Sequence, residues 1–575
     1  MPPVAGVIAW ITVVDAVPAE GILPGLAASR LSPDLQGQIL VEEMNCAACH
    51  PGDAALAARS KKSPRLADVG TRVNPQYIEQ FIADPLRTKP GTTMPDMLAG
   101  RTDEERREVA RSITHFLLSL KKPDFSLEPP DPVAVGHGRR LFHARGCAAC
   151  HAPRDENGME VVVEGSTPLG ALEKKYSFSS LVAFLSDPLH SRPSGRMPDM
   201  RLAGRDMDAI AHFLLQRTRV PGALAYTLYR GQVWEGLGSA EVRAERGGQV
   251  QDFALESLGK INHHTAITYE GWIDIAMAGN YTFFLELNGG SLVIDGATIV
   301  EQTPSDRRGV MRLEGAAELA AGWRRLQVTY FHTGRDPKFS FEIQGPGFDR
   351  GPVPSSRLSV SDEPVPALEP IMVDAGLAVR GREQFASLGC ARCHDDLGIP
   401  SAAGPAFATL DASRGCLSGA DGTWPRFGLA PDQHTLLTKA LPHAESPHIG
   451  EAQLIDKTLV TFNCLACHDR SGLGGPAPDR TALFTGTQPA LGDQGRLPPT
   501  LSHVGAKLTP EWLREVLVNG GRQREYVDAA MPQFGEANVG HLVDLFGKVD
   551  TLEEAVLPKV ANLRESKDAG YEMVG

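Results

Sequence analysis

The chain has 575 residues, 42% of them hydrophobic and 22% charged, which is enough apolar material for several packed domains and too much length for one. Its 70 acidic and 57 basic residues give a formal net charge of −13, which argues against a nucleic-acid-binding role. No run of 18 or more apolar residues occurs, so no membrane-spanning helix is expected.

Residues 1–32 hold an apolar run, Val4 to Val14, with the length of the hydrophobic region of an export signal. No Lys or Arg precedes it, Asp15 follows at once, and the first cationic residue is Arg30, so an incomplete export signal is expected. From residue 33 the chain reads as a series of similar segments. Gly37, Gly138 and Gly381 each lie nine residues before a Cys-x-x-Cys-His motif. The motifs are Cys46-Cys49-His50, Cys147-Cys150-His151 and Cys390-Cys393-His394, and a fourth, Cys464-Cys467-His468, has Ile455 at the glycine's place. A short helical pattern precedes each motif, as in Gly138-Arg-Arg-Leu-Phe142 and Gly381-Arg-Glu-Gln-Phe385, so each motif is expected at the C-terminal end of a helix.

Downstream of the first two motifs the segments match closely. Phe81-x-x-Asp84-Pro85 leads to Met94-Pro95-Asp96-Met97, and Phe184-x-x-Asp187-Pro188 leads to Met197-Pro198-Asp199-Met200; both end in a helix containing His-Phe-Leu-Leu, at 115–118 and 212–215. Asn74 and Thr509, each followed by proline, read as N-caps with proline at the first helical position. The spans expected are 33–125, 133–220, 361–455 and 456–553, with a tail at 554–575.

Between the second and third motifs, residues 221–360 carry no cysteine and alternate apolar with polar residues, as in Tyr281–Leu287, Ser291–Ile294 and Leu326–Phe331. Gly289-Gly290 and Asp295-Gly296 are turn signals, and the pattern predicts an antiparallel β-sandwich. Residues 352–370 form a Pro- and Ser-rich linker. The fold class expected is therefore multidomain α and β, with four small all-α modules flanking an antiparallel β-sandwich.

Cys-x-x-Cys-His is the attachment signature of c-type haem, and four copies consume eight of the nine cysteines. Each thiol adds to one vinyl group of the porphyrin, and the adjacent imidazole reaches the iron. The expected cofactor is haem c, four groups covalently held, with Cys46, Cys49, Cys147, Cys150, Cys390, Cys393, Cys464 and Cys467 as attachment residues. His50, His151, His394 and His468 are the proximal iron ligands. The ninth cysteine, Cys416, is expected to be a small buried residue.

The order helix, Cys-x-x-Cys-His, loop, middle helix, Met-Pro loop, C-terminal helix resembles the small mitochondrial-type cytochrome c domain. That resemblance implies a methionine as sixth ligand, and the matching residues are Met94, Met197 and Met531, each followed by proline (Pro95, Pro198, Pro532). The proline biases the preceding Met away from helical conformation, and a thioether is a soft neutral ligand that raises the potential. Met97 and Met200 are rival ligands or packing residues. The third module has no methionine between His394 and Cys464. His443, His448 and His434 are its candidate ligands; an open site, or a ligand from another module, stands beside them.

The insert resembles the protective-antigen-like domain through Tyr229-Arg230-Gly231, Gly271-Trp272-Ile273, Gly279-Asn280-Tyr281-Thr282-Phe283, Ile294-Asp295-Gly296, Ala321-Gly322-Trp323 and Tyr330-Phe331-His332. Where sugar-binding members hold calcium with paired aspartates, this chain reads Asn288-Gly289-Gly290, without the carboxylates calcium prefers. Two haem modules, a β-domain and two more haem modules resemble the large modular cytochromes of bacteria. That resemblance implies electron transfer between redox partner proteins in an exported, periplasmic or extracytoplasmic setting. The β-sandwich would serve for docking or for binding polysaccharide or cell-surface glycan. No catalytic residue is expected on this reading. The alternative is a peroxidase-like haem enzyme with a reactive iron in the third module.

Overall fold

A computed structural model of the chain describes residues 29–551, except 124, 162, 164, 304–308, 333–336, 367–370, 420–421 and 446, together with Leu23, Gly25, Leu26, Arg564, Lys567 and Asp568. The apolar run at Val4 to Val14 and most of the tail at 554–575 lie outside the described residues. The architecture combines helices with antiparallel sheets, and among the described residues no helix is long and apolar enough to cross a membrane.

The principal helices are α1 (Pro33–Glu43), α2 (Pro75–Ala83), α3 (Asp103–Leu120), α4 (Pro132–Ala144), α5 (Phe178–Ser186), α6 (Gly204–Leu214), α7 (Ala375–Ser387), α8 (Pro431–Ala440), α9 (Glu451–Thr461) and α10 (Leu542–Val549). Their starts follow the sequence signals. The Asn74 side chain accepts from the Gln76 amide at 3.0 Å, and Thr509 accepts from the Trp512 amide at 3.3 Å, each with proline at the first helical position.

The helices do not pair in sequence order. Residues 133–220 close on themselves: α4 crosses α6 at Gly138, where a Cβ would stand 1.8 Å from the Ala209 carbonyl oxygen. Phe142 meets Phe213 with ring centroids 5.6 Å apart, and the Asp131 amide donates to His212 Nδ1 at 3.1 Å. The same three contacts recur between α7 and α3, which belong to different sequence segments. Gly381 crosses at the Ser112 carbonyl, Phe385 meets Phe116 at 5.6 Å, and the Asp374 amide donates to His115 Nδ1 at 3.1 Å. Helix α1 crosses α8 instead, with Gly37 against the Leu436 carbonyl.

Segments 33–125 and 361–455, expected as two self-contained modules, therefore exchange their C-terminal halves. The physical reason is that the crossing needs only a glycine facing a helix with a close-packing backbone, and both segments supply both parts. Local pattern fixes the contact, and the chain length between parts leaves the choice of partner open. Residues 456–553 close on themselves, with α9 on α10, Ile455 fully buried and Gly505 against the Phe546 carbonyl.

The insert forms two antiparallel sheets. The strands are β1 (Leu224–Arg230), β2 (Arg243–Val250), β3 (Thr265–Ile275), β4 (Gly279–Leu287), β5 (Gly290–Ile294), β6 (Ala297–Gln302), β7 (Met311–Leu319), β8 (Gly322–His332), β9 (Ser340–Gly345), β10 (Phe348–Pro352) and β11 (Leu358–Ser359). One sheet runs β2-β1-β3-β8-β5-β6 with β11 on β3, and the other β10-β9-β4-β7. Alternate residues of β4 (Tyr281, Phe283, Leu285, Leu287) point into a shared core with Ile267, Tyr330 and Ile343. Asp295 and Gly296 both have positive φ, 48° and 83°, as the tight β5–β6 hairpin requires, whereas Gly289-Gly290 carries the chain from one sheet to the other. The sandwich is fixed to residues 133–220 by the Gly247 amide, which donates to Asp131 Oδ1 at 2.9 Å, and by Pro132 against Gly247.

Candidate functional site

Each Cys-x-x-Cys-His motif begins after a residue in the left-handed conformation: Asn45 (φ 54°), Gly146 (φ 100°), Gly389 (φ 82°) and Asn463 (φ 53°). Gly and Asn are the residues that adopt it at least cost, so the preceding helix stops there and the cysteines occupy a new short turn. The histidine amide then bonds back to the first cysteine's carbonyl, at 3.0, 2.9, 3.0 and 3.0 Å for His50, His151, His394 and His468. Two thiols and an imidazole are thereby held in the same relation four times. Desolvation raises the first thiol of every motif, Cys46, Cys147, Cys390 and Cys464, to about 12.

The four imidazoles are oriented in one way. His50 Nδ1 lies 3.0 Å from the Pro405 carbonyl oxygen, His151 Nδ1 3.0 Å from that of Thr167, His394 Nδ1 2.9 Å from that of Pro64, and His468 Nδ1 2.6 Å from that of Pro499. A carbonyl only accepts, so Nδ1 carries a proton, and in the neutral ring Nε2 keeps its lone pair. Burial lowers His151 to about 4 and also lowers His394 and His468, so these rings are neutral at pH 7. A carbonyl that accepts from Nδ1–H and so fixes the ring is how metal-bound histidines are commonly held.

The carbonyl partners repeat the exchange seen in the helices. His50 is held by residues 404–407: the Gly404 amide donates to the Cys49 carbonyl and the Phe407 amide to that of Pro51. His394 is held by residues 64–67, whose Leu66 and Ala67 amides donate to Asp396 at 2.7 and 3.0 Å. The motifs also lie in pairs. Asn45 Nδ2 is 3.9 Å from Cys393 Sγ, and Asn463 Nδ2 is 3.6 Å from Cys150 Sγ.

All four motifs line a single continuous cavity of about 1530 Å³, beyond the roughly 300–1,000 Å³ of one small-molecule site. Met94, Met97, Met197, Met200 and Met531 line it as well. Two antiparallel bridges tie these loops down: Asp199 with Gln533, which joins the loops of Met197 and Met531, and Asp96 with Arg426, which joins the loop of Met94 to residues 424–428. Cys416 is half-buried, lines the cavity and acts electrostatically on Cys46, so it is less enclosed than its sequence setting suggests. The three histidines expected near the third motif lie elsewhere. His443 and His448 are exposed, His434 Nε2 is bonded to the Leu417 carbonyl at 2.6 Å, and none lines the cavity.

Two lysines on the cavity wall stand without matching anions. Burial holds the Lys89 and Lys175 ammonium groups well below their ordinary range, with Arg192 adding to both. Among the described residues neither has a carboxylate at ion-pair distance, and Lys175 stands 5.2 and 5.0 Å from the rings of Tyr77 and Tyr176. An unpaired charge partly withdrawn from water is costly and favours an anionic neighbour. Sequence reasoning missed these lysines because isolated lysines carry no spacing signal.

Glu43 differs: burial pushes its carboxyl up, but Lys61 and Arg196 outweigh burial and hold it below its ordinary range. Lys61 Nζ is 3.1 Å away, and the Glu43 side chain is 1% exposed. Because the folded value is depressed, its stabilisation is complete above the unfolded carboxylate range, near about 4.3, and is lost as pH falls through the folded value. Glu43→Gln is therefore expected to destabilise the fold at pH 7 by about 3 kcal/mol, the cost of taking one charge from a largely enclosed cluster. The difference from the parent protein should close in acid, read from urea unfolding midpoints across pH; a gap that stays constant to acid would refute this role.

The chain matches no protein-family model and no curated relative. Among solved structures it is similar to the PA14 domain of the MpAFP antifreeze protein, at 15% identity and a TM-score of 0.22, covering 25% of this chain and 92% of that one. It is also similar to a PA14 sugar-binding domain from an RTX adhesin, at 15% identity and a TM-score of 0.20, covering 24% and 99%. A third is an anti-sigma factor domain-containing protein from Clostridium clariflavum, at 20% identity and a TM-score of 0.19, covering 24% of this chain and 47% of that one.

Proposed function

We propose that the chain is a four-haem c-type cytochrome that carries electrons between redox partner proteins. The observation that supports it best is the fourfold repetition of one arrangement. Two thiols and an imidazole with Nδ1–H tied to a carbonyl face one cavity large enough for several cofactors. The donor set fits haem: thiols for the vinyl groups, a neutral imidazole for the iron, thioethers of Met94, Met197 and Met531 on the cavity wall, and Lys89 and Lys175 for propionates. Haem supplies one-electron redox chemistry when bound. The thiols and imidazoles of the four motifs, which lie in two pairs, would hold it, and the methionines on the cavity wall would tune its potential.

The exchange of halves changes the assignment of ligands within this proposal. Met94 belongs to the haem on Cys390, Cys393 and His394, because residues 64–122 pack around that motif and not around Cys46-x-x-Cys49-His50. Met197 serves His151 and Met531 serves His468. The β-sandwich is assigned to docking; retention of the full chain on insoluble polysaccharide would instead mark it as a glycan-binding domain.

The test is the intact mass of protein matured in a host that attaches haem. Four covalently bound porphyrins are expected, and each Cys-pair-to-Ala variant should lose one. A protein that matures with none refutes the proposal.

A further inference from the structure

The third module, which has no methionine between His394 and Cys464, presents a different residue in the methionine's place. Arg426 pairs with Asp96 as Gln533 pairs with Asp199: the amide-to-carbonyl distances are 2.7 and 3.0 Å in the first bridge and 2.9 and 2.8 Å in the second. Asp96, Asp199 and Gln533 each lie two residues after a candidate ligand: Met94, Met197 and Met531. Two residues before Arg426 is Trp424. The surrounding sequence repeats too: Trp424-Pro425-Arg426-Phe427-Gly428 against Met531-Pro532-Gln533-Phe534-Gly535. Trp424 and Pro425 line the cavity as Met531 and Pro532 do.

The exchange of halves decides which motif Trp424 faces. Residues 404–407 hold His50, and α8, three residues after Gly428, crosses α1 immediately before Cys46. The loop of Trp424 therefore stands to the Cys46-x-x-Cys49-His50 motif as the loop of Met531 stands to Cys464-x-x-Cys467-His468. An indole is a hydrogen-bond donor only and offers no lone pair to a metal. Histidine does not replace it, since His434, His443 and His448 lie away from the cavity, and the Cys416 thiol lies on the side of the attaching thiols Cys46 and Cys49.

We infer that the site of Cys46, Cys49 and His50 is an open one, covered by the Trp424 indole and not closed by a protein ligand, and that it takes a small exogenous axial ligand of diatomic or peroxide size. The inference rests on the four-haem reading and adds a binding site to an electron carrier. The indole N–H of Trp424, on the cavity wall, can donate to such a ligand.

The experiment is a carbon monoxide titration of the full, haem-loaded, reduced chain, followed optically, with covalent haem counted on the same sample. Binding of about one carbon monoxide per four haems is expected. The Cys46→Ala/Cys49→Ala variant should lose it entirely, and Trp424→Phe should keep it. Trp424→Met should abolish it and add one methionine-to-iron charge-transfer band. Four haems with no carbon monoxide bound would overturn the open site and leave the four-haem reading standing. Binding that survives removal of Cys46 and Cys49 would place the open iron elsewhere and overturn the assignment. A chain with no covalent haem would overturn both.

Discussion

Met94→Ala is expected to remove one of three methionine-to-iron charge-transfer bands and lower one reduction potential, and the haem affected should be the one on the distant motif, Cys390-x-x-Cys393-His394. Two backgrounds separate this from a contiguous arrangement. In Cys390→Ala/Cys393→Ala protein, adding Met94→Ala should change nothing further. In Cys46→Ala/Cys49→Ala protein it should still delete a band. A contiguous module predicts the opposite pattern, so the two backgrounds give a decision in either direction. The physical ground is the set of contacts that bring residues 64–122 to the third motif: Pro64 on His394, Asp396 on the amides of Leu66 and Ala67, and Phe116 on Phe385. Axial thioether raises the potential, so its loss lowers it.

Much of the local structure was legible because it is set by short-range chemistry. The helix before each motif, the N-caps at Asn74 and Thr509, the β5–β6 turn at Asp295-Gly296 and the alternation in β4 all depend on residues within a few positions of one another. The partners of the helices were not legible. Gly37, Gly138 and Gly381 announce a helix crossing without saying which helix crosses, and α3 and α8 suit either glycine by pattern. The repeat of His115 and His212, each accepting from the N-cap Asp amide of a first helix, names the rule only once both structures are compared.

Trp424 was missed for a different reason. A search for ligands looks for atoms with lone pairs, and a residue that occupies the ligand's place without them leaves no such trace. The signal that was available is the frame x-Pro-x-Phe-Gly shared by 424–428 and 531–535. The histidines of the third segment drew attention by residue type, but His434 is committed to the Leu417 carbonyl and the other two are exposed.

The exchange also carries the largest expected effect on folding. A fragment of residues 29–125 should remain unfolded on its own. It contains α1, α2 and α3, but α8, which covers α1, and α7, which covers α3, both lie beyond residue 370. Helix α1 has 11 residues, a length at which an isolated helix is marginal in water, and the buried Ile39, Leu40 and Val41 would face solvent. A fragment of residues 131–220 keeps its crossing of α4 on α6, the Phe142–Phe213 contact, the Asp131–His212 bond and the carbonyl on His151. Helicity by circular dichroism and amide exchange should therefore be low for 29–125 and substantial for 131–220. Adding a separate chain of residues 371–450 to the first fragment should restore protection in α1 and α3, because both missing helices then arrive together. A cooperative thermal transition in 29–125 alone would mean that α1 and α3 pair directly, and the exchange would fall. Restoration by 371–450 admits no contiguous explanation, since that segment then supplies the first fragment with the helix surfaces it lacks.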